Sequence, residues 1–173
     1  QDLLRQVSNA SANLDDLDLN PLFVQADPGE NKRYCEKQII NDVPNTLDQN
    51  IWPEIENHLD NPKKIFKEFE IENTHRAVGT RISHNLYKKF GHDKLDEGFL
   101  TINFKVSAGQ SFGAFAMKGL KLVLKGDAND YVAKGLSGAT ISIKLADESN
   151  LVSSENTIIG NTVLYGATSG KLF

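Results

Sequence analysis

Phe99 to Ala128 reads FLTINFKVSAGQSFGAFAMKGLKLVLKGDA, two copies of one short pattern. Leu100, Ile102 and Phe104 alternate with polar residues, and Leu120, Leu122 and Leu124 repeat the alternation. A period of two marks a strand with one buried face. Ile141 and Ile143 supply a third strand. Ile102 and Leu122 lie 20 residues apart, and Leu122 and Ile141 lie 19 apart. Between the strands, Ser107-Ala108-Gly109 and Gly126-Asp127-Ala128-Asn129-Asp130 stand at nearly matching offsets. A repeat of this length predicts a solenoid. One coil cannot bury its apolar interior alone, whereas stacked coils bury it and pair their backbones. The expectation is a mainly β fold: a right-handed parallel β-helix from about residue 99 to 173, preceded by a helical N-terminal arm. Nine of the thirteen glycines, Gly109 and Gly138 among them, fall in this region, where corners at positive φ favour glycine.

Upstream the signals change. Residues 1–46 carry scattered breakers, Asp15-Asp16, Asn20-Pro21, Asp27-Pro28-Gly29 and Val43-Pro44-Asn45, and read as a connector. Leu47, Ile51, Ile55 and Leu59 recur every four residues, a helical stripe, and Pro53 places the helix start near Trp52. Ile65, Phe69 and Ile71 share the parity of a short strand. Val78, Ile82, Leu86 and Phe90 form a second helical stripe, with Asn73 or Thr74 as its cap and Gly91 as its stop. The expected division is a connector arm at 1–72, then a cap helix and glycine-repeat region at 73–173.

Composition excludes several classes. The chain has 173 residues, enough for one core. No apolar run is long enough to span a bilayer. Residues 1–75 carry a net charge of −8 and residues 76–173 of +4, which predicts that the acidic arm packs on the basic body. No basic run with interleaved aromatics points to nucleic acid. A single cysteine, Cys35, forms no internal disulfide and suggests a reducing compartment, the cytoplasm. Asn9-Ala10-Ser11 is a glycosylation triplet without a secretory signal. A first residue of Gln suggests a piece of something longer.

Asn73-Thr74-His75-Arg76-Ala77-Val78-Gly79, Ser107 to Phe115, Gly126 to Val132, Lys134 to Gly138 and Asn156 to Thr168 together resemble the glycine-repeat, C-terminal domain of the glutamate synthase large subunit. Val106, Ala133 and Ala139 stand where the family pattern has glycine, and His75 where Asp is common. The chain stops at Leu172-Phe173, where the family's solenoid continues. The resemblance implies a structural domain that packs against catalytic domains and fixes their positions. The parent enzyme makes two glutamates from glutamine and 2-oxoglutarate, with an N-terminal cysteine nucleophile, FMN and an iron–sulfur cluster. None of these is carried onto this chain: no catalytic, cofactor-binding or metal residue is assigned. The similar glycine-repeat subunit of formylmethanofuran dehydrogenase and an independent β-helix binding domain are the alternatives. The expected partners are other domains of the parent. An unfinished last coil with Leu164, Leu172 and Phe173 adds end-to-end self-association.

Four motifs mimic chemistry. Gly109-Gln110-Ser111-Phe112-Gly113 fits the serine-nucleophile elbow, but a strand pattern rather than a helix follows it, and all four histidines lie upstream. Gly166 to Lys171 is one residue short of a phosphate-binding loop and reads as a corner. Asp127 and Asp130 offer too few oxygens for calcium and read as turn residues. His58, His75, His84 and His92 lack zinc-site spacing. Arg76 and Arg81 either bond a neighbouring domain or form intradomain pairs.

Overall fold

The computed structural model describes residues 20–27, 29–38, 40, 44–61, 63–92 and 94–173. The chain divides into two compact units, Gln1–Asp42 and Val43–Phe173. In the first, α1 spans Asn20–Phe23, and the Gly29 N–H donates to Asp27 Oδ1 at 2.9 Å. Cys35 is exposed, its Sγ 2.8 Å from the Lys37 carbonyl. Asn9-Ala10-Ser11 and Asp15-Asp16 lie outside the described residues.

The second unit begins with α2, Leu47–Glu56. It starts a turn and a half earlier than Trp52, because Thr46 caps it: the extended Thr46 accepts from the Gln49 N–H at 3.3 Å. Pro53 therefore sits inside the helix, and burial of Ile51 and Ile55 outweighs the backbone bond it forfeits. Strand β1, Ile65–Ile71, follows as expected. Helix α3, Thr80–Phe90, starts later than Asn73 or Thr74 would place it, and Gly79 at its N-cap has no side chain to offer. Gly91 ends it at positive φ, its N–H bonded to the Tyr87 carbonyl.

Strands β2 (Leu100–Ala108), β3 (Leu120–Ala128), β4 (Ser137–Lys144) and β5 (Ser169–Leu172) complete one five-stranded sheet in sequential order, every pair parallel. Ile102 pairs with Leu122 and Leu122 with Ile141, the register that the repeat spacing predicts. Leu100, Ile102, Phe104, Leu120, Leu122, Leu124, Ile141 and Ile143 are all buried on one face. Each is worth about 2 kcal/mol of transfer free energy.

The right-handed β-helix is nevertheless the wrong architecture. A β-helix needs several ladders around its coil, and the described residues form one open sheet with only isolated bridges beyond it, such as Ala128 to Ile159. The links between strands turn too tightly to extend, so they stack as turns. The sheet also begins earlier than residue 99, since β1 pairs with β2 from Ile65↔Leu100 to Ile71↔Val106. Ser169, Gly170 and Lys171, read as part of a corner, belong to β5 instead. Between β4 and β5 the spacing grows: Ile141 pairs with Leu172, 31 residues on.

The turns follow one backbone rule. Ala77, Ser111, Tyr131 and Thr162 have φ of 54°, 65°, 63° and 58°. Two residues later, Gly79, Gly113, Ala133 and Leu164 have φ of 97°, 68°, 56° and 58°. Hydrogen bonds confirm the equivalence: Ala77 N–H donates to Gln110 O, Ser111 N–H to Asp130 O and Tyr131 N–H to Asn161 O. Gly113 donates to Val78 O, Ala133 to Phe112 O and Leu164 to Val132 O. The residues between, Val78, Phe112 and Val132, are buried. The Phe112 ring meets Phe104 of the sheet edge-on at 5.7 Å.

This geometry revises the corner assignments. Gly138 has positive φ, 115°, but lies in strand β4 rather than at a corner. Gly109 is not left-handed; it is required by close approach, because a Cβ there would lie 2.5 Å from the Asn73 carbonyl oxygen and 2.6 Å from that of His75. Val106 and Ala133 do occupy left-handed positions, whereas Ala139 does not. A β-branched residue at Val106, with φ of 87°, carries strain. Opposite it, a Cβ on Gly126 would overlap the Val106 carbonyl. Val106→Gly is therefore expected to stabilise the fold by about 1 kcal/mol. Gly126→Ala should destabilise it by at least about 2 kcal/mol. Thermal melting checks both signs.

Candidate functional site

Asp48 is the most deeply engaged polar residue. It lies in the first turn of α2 and is 2% exposed. Its carboxylate accepts from the backbone N–H groups of Gly79 (2.9 and 3.0 Å), Arg81 (2.8 Å) and Ile82 (3.2 Å). These are donors that an α-helix leaves unpaired at its start. One carboxylate thus serves the positive ends of two helices. Burial pushes the Asp48 carboxyl above the usual aspartate range, against the opposing pull of these N–H groups and of the Arg81 charge. Arg81 itself donates to Gln49 Oε1 at 3.2 Å, and Arg76 to Gln110 Oε1 at 2.6 Å, both within the unit.

Helix α3 is tied to the turn stack by hydroxyls. Thr80 Oγ1 donates to the Ala114 carbonyl at 2.8 Å. Buried Ser83 donates to the Phe115 carbonyl at 3.1 Å and accepts from the Met117 N–H at 2.9 Å. Beside these contacts lies a cavity of about 360 Å³, bordered by His84, Tyr87, Phe115 and Met117.

The mimicking motifs take up structural positions. Ser111 sits in a stacked turn at positive φ, with no helix after it. Asp127 accepts from Ser107 Oγ at 2.5 Å, and Asp130 from the Asn161 N–H at 2.8 Å. His75 Nδ1 accepts from the Glu72 N–H at 3.1 Å. Among the described residues no group of three His, Cys, Asp or Glu side chains is placed to hold a metal ion, and no helix is long and apolar enough to cross a membrane.

The outer face of the sheet carries a ladder of like charge. Lys105 is in register with Lys125, and Lys125 with Lys144. Glu68 pairs with Lys105, and Asp147 bridges Lys125 and Lys144 at 2.8 and 3.1 Å. Hydrogen bonds from these lysines hold the Glu68 and Asp147 carboxyls below their usual range. The pairs are exposed and screened, so they contribute little to the stability of the fold.

Sequence reasoning missed Asp48 and the alternating left-handed positions. An acid two residues after a Thr cap is a visible signal, but its partners lie 31 residues or more downstream. Aligned, the segments Ala77-Val78-Gly79, Ser111-Phe112-Gly113, Tyr131-Val132-Ala133 and Thr162-Val163-Leu164 would have shown an apolar middle residue, buried in the first three and half-buried in the fourth.

Comparison with known proteins accords with this geometry. A family model described as the GXGXG motif matches residues 48–173. Glycine at alternate positions is what alternating left-handed residues ask for. The chain is 53% identical, over 99% of its length, to 11% of the glutamate synthase (NADPH) large chain of Azospirillum brasilense. It is 41% identical, over 98% of its length, to 8% of the glutamate synthase (NADH) of Saccharomyces cerevisiae. It is 38% identical, over 99% of its length, to 11% of the ferredoxin-dependent glutamate synthase 2 of Synechocystis sp.. The chain thus spans about a tenth of the length of the relatives it matches.

Asp48→Ala is expected to cost about 2–4 kcal/mol, because three backbone donors at a buried helix start lose their acceptor. Asp48→Asn keeps one oxygen and should cost less. A carboxyl raised above its unfolded value binds its proton more tightly in the folded state, so its contribution to stability falls as pH rises through that window. The stability of the wild type relative to Asp48→Asn should therefore decline from about pH 4 upward. Urea unfolding across that range measures it.

Proposed function

The chain belongs to the GXGXG-motif family, and on that premise we propose that it is a structural, non-catalytic domain of a glutamate synthase, packed against the other parts of a much longer polypeptide. The observation that carries this reading is the pattern of similarity. Identity of 38–53% runs along nearly the whole chain, yet covers only 8–11% of each relative. The reductant-dependent conversion of glutamine and 2-oxoglutarate into two glutamates then belongs to the parent as a whole.

The polar groups support the same reading. Asp48, Thr80, Ser83 and Asp130 each bind backbone groups of this chain. A side chain committed in this way is not free for a substrate. The residues also do not fit the iron–sulfur cluster that the resemblance implies for the parent. An iron–sulfur cluster takes several thiolates, and the chain has only the exposed Cys35. The cluster is accordingly assigned to other parts of the parent.

Purified and shown by circular dichroism to be folded, the chain should display no flavin absorbance, no glutaminase activity and no glutamate formation from 2-oxoglutarate. Any one of the three at stoichiometric purity would sink the structural reading.

A further inference from the structure

Large apolar side chains stand exposed on three successive turns of the stack. Phe115 is 55% exposed, Tyr131 38%, Leu164 41% and Tyr165 63%. The first three also have positive φ, of 55°, 63° and 58°. For Phe115 and Leu164, though not for Tyr131, equivalent positions in other turns hold glycine. The Phe115 N–H donates to the Lys134 carbonyl and the Gly135 N–H to the Tyr165 carbonyl, so Phe115, Gly135 and Gly166 occupy one position in successive turns. Gly135 and Gly166 have φ of 62° and 69°. Leu164 in turn is the equivalent of Gly79 and Gly113.

Phe115 and Leu164 are unfavourable on two counts. A non-glycine side chain at positive φ is strained, and a large apolar side chain left partly in water forgoes part of its burial. Val106 has comparable strain but stands singly at a strand end, beside a groove that Leu145, Ala146 and Leu151 of this same chain also line. Exposed apolar residues recur on three successive turns, and Phe115 shares a cavity with the 52% exposed Tyr87. Lys134 lies over the Tyr131 ring at 5.6 Å.

We propose that this row, Phe115, Tyr131, Leu164 and Tyr165, is the face on which the chain docks to the rest of its own parent polypeptide. The occupant is an apolar surface with an acidic residue to meet Lys134. The inference rests on the proposed structural role. It commits to the same polypeptide because about nine-tenths of the length of the matched relatives lies outside this chain. Contact there recovers the burial that the isolated domain forgoes, and it accounts for strained residues where glycine would relax the turn.

The test uses the full-length parent polypeptide. Tyr165→p-benzoylphenylalanine and, separately, Phe115→p-benzoylphenylalanine place a photo-crosslinking ring at exposed aromatic positions, where folding is least disturbed. Illumination, digestion and mass spectrometry locate the products. The expected result is an intramolecular cross-link, at both positions, to peptides outside the region that this chain represents. A product of twice the mass, marking a second copy, would overturn the proposal, as would cross-links confined to this region or none at either position. Those outcomes leave the structural role standing, because that reading fails only if the isolated chain proves active.

Discussion

A turn with left-handed residues at alternate positions points N–H and C=O groups along the stacking direction, and those groups must be met by the next turn. This requirement organises the whole second unit. The Ser111 N–H needs the Asp130 carbonyl, and the Tyr131 N–H needs that of Asn161. An unmet buried backbone group costs about as much as a lost hydrogen bond, so the turns cannot slide independently. The sheet obeys the same register, with Ile102 against Leu122 and Leu122 against Ile141. Sheet and turn stack therefore fix each other, and Phe104 against Phe112 shows where they meet.

The first turn of the stack is a special case, since it leads into α3 instead of another short link. Its helix start exposes three N–H groups, and Asp48 meets them from α2. Gly79 allows this in two ways. Its φ of 97° suits the turn, and its lack of a side chain leaves room for Leu122, which a Cβ would approach to 2.8 Å. Ser83 then carries the tie onward to Phe115 and Met117. Ion pairs on the outer face contribute less, for they stay in water. Polar chemistry in this chain is thus spent on joining elements, in keeping with a domain whose proposed role is to hold a shape for others.

Strain is distributed unevenly over that shape. Where the turns are buried, small or glycine residues take the left-handed positions, as at Gly113 and Ala133. At the exposed tips, Phe115, Tyr131 and Leu164 take them despite the cost. The family motif describes glycine at alternate positions, and this chain fills only some of them so. The departures at the tips are what give one surface a character of its own.

The sequence by itself determined the strands and their spacing. Apolar alternation is local, and a 20-residue repeat between Ile102 and Leu122 dictates a register without knowledge of the fold. It also carried the family resemblance and the stop of α3 at Gly91. It did not determine whether the repeats close into a helix of several sheets, because that depends on how the links between strands bend. Those links hold left-handed positions occupied by Ala77, Ser111, Tyr131, Thr162 and Leu164, residue types that give no local sign of positive φ. Only tertiary structure decided this, since the hydrogen bonds that impose those angles come from the neighbouring repeat. The same reason hid the capping of α3 by Asp48 and the role of Gly109, whose constraint is the nearby carbonyls of Asn73 and His75 rather than its own φ.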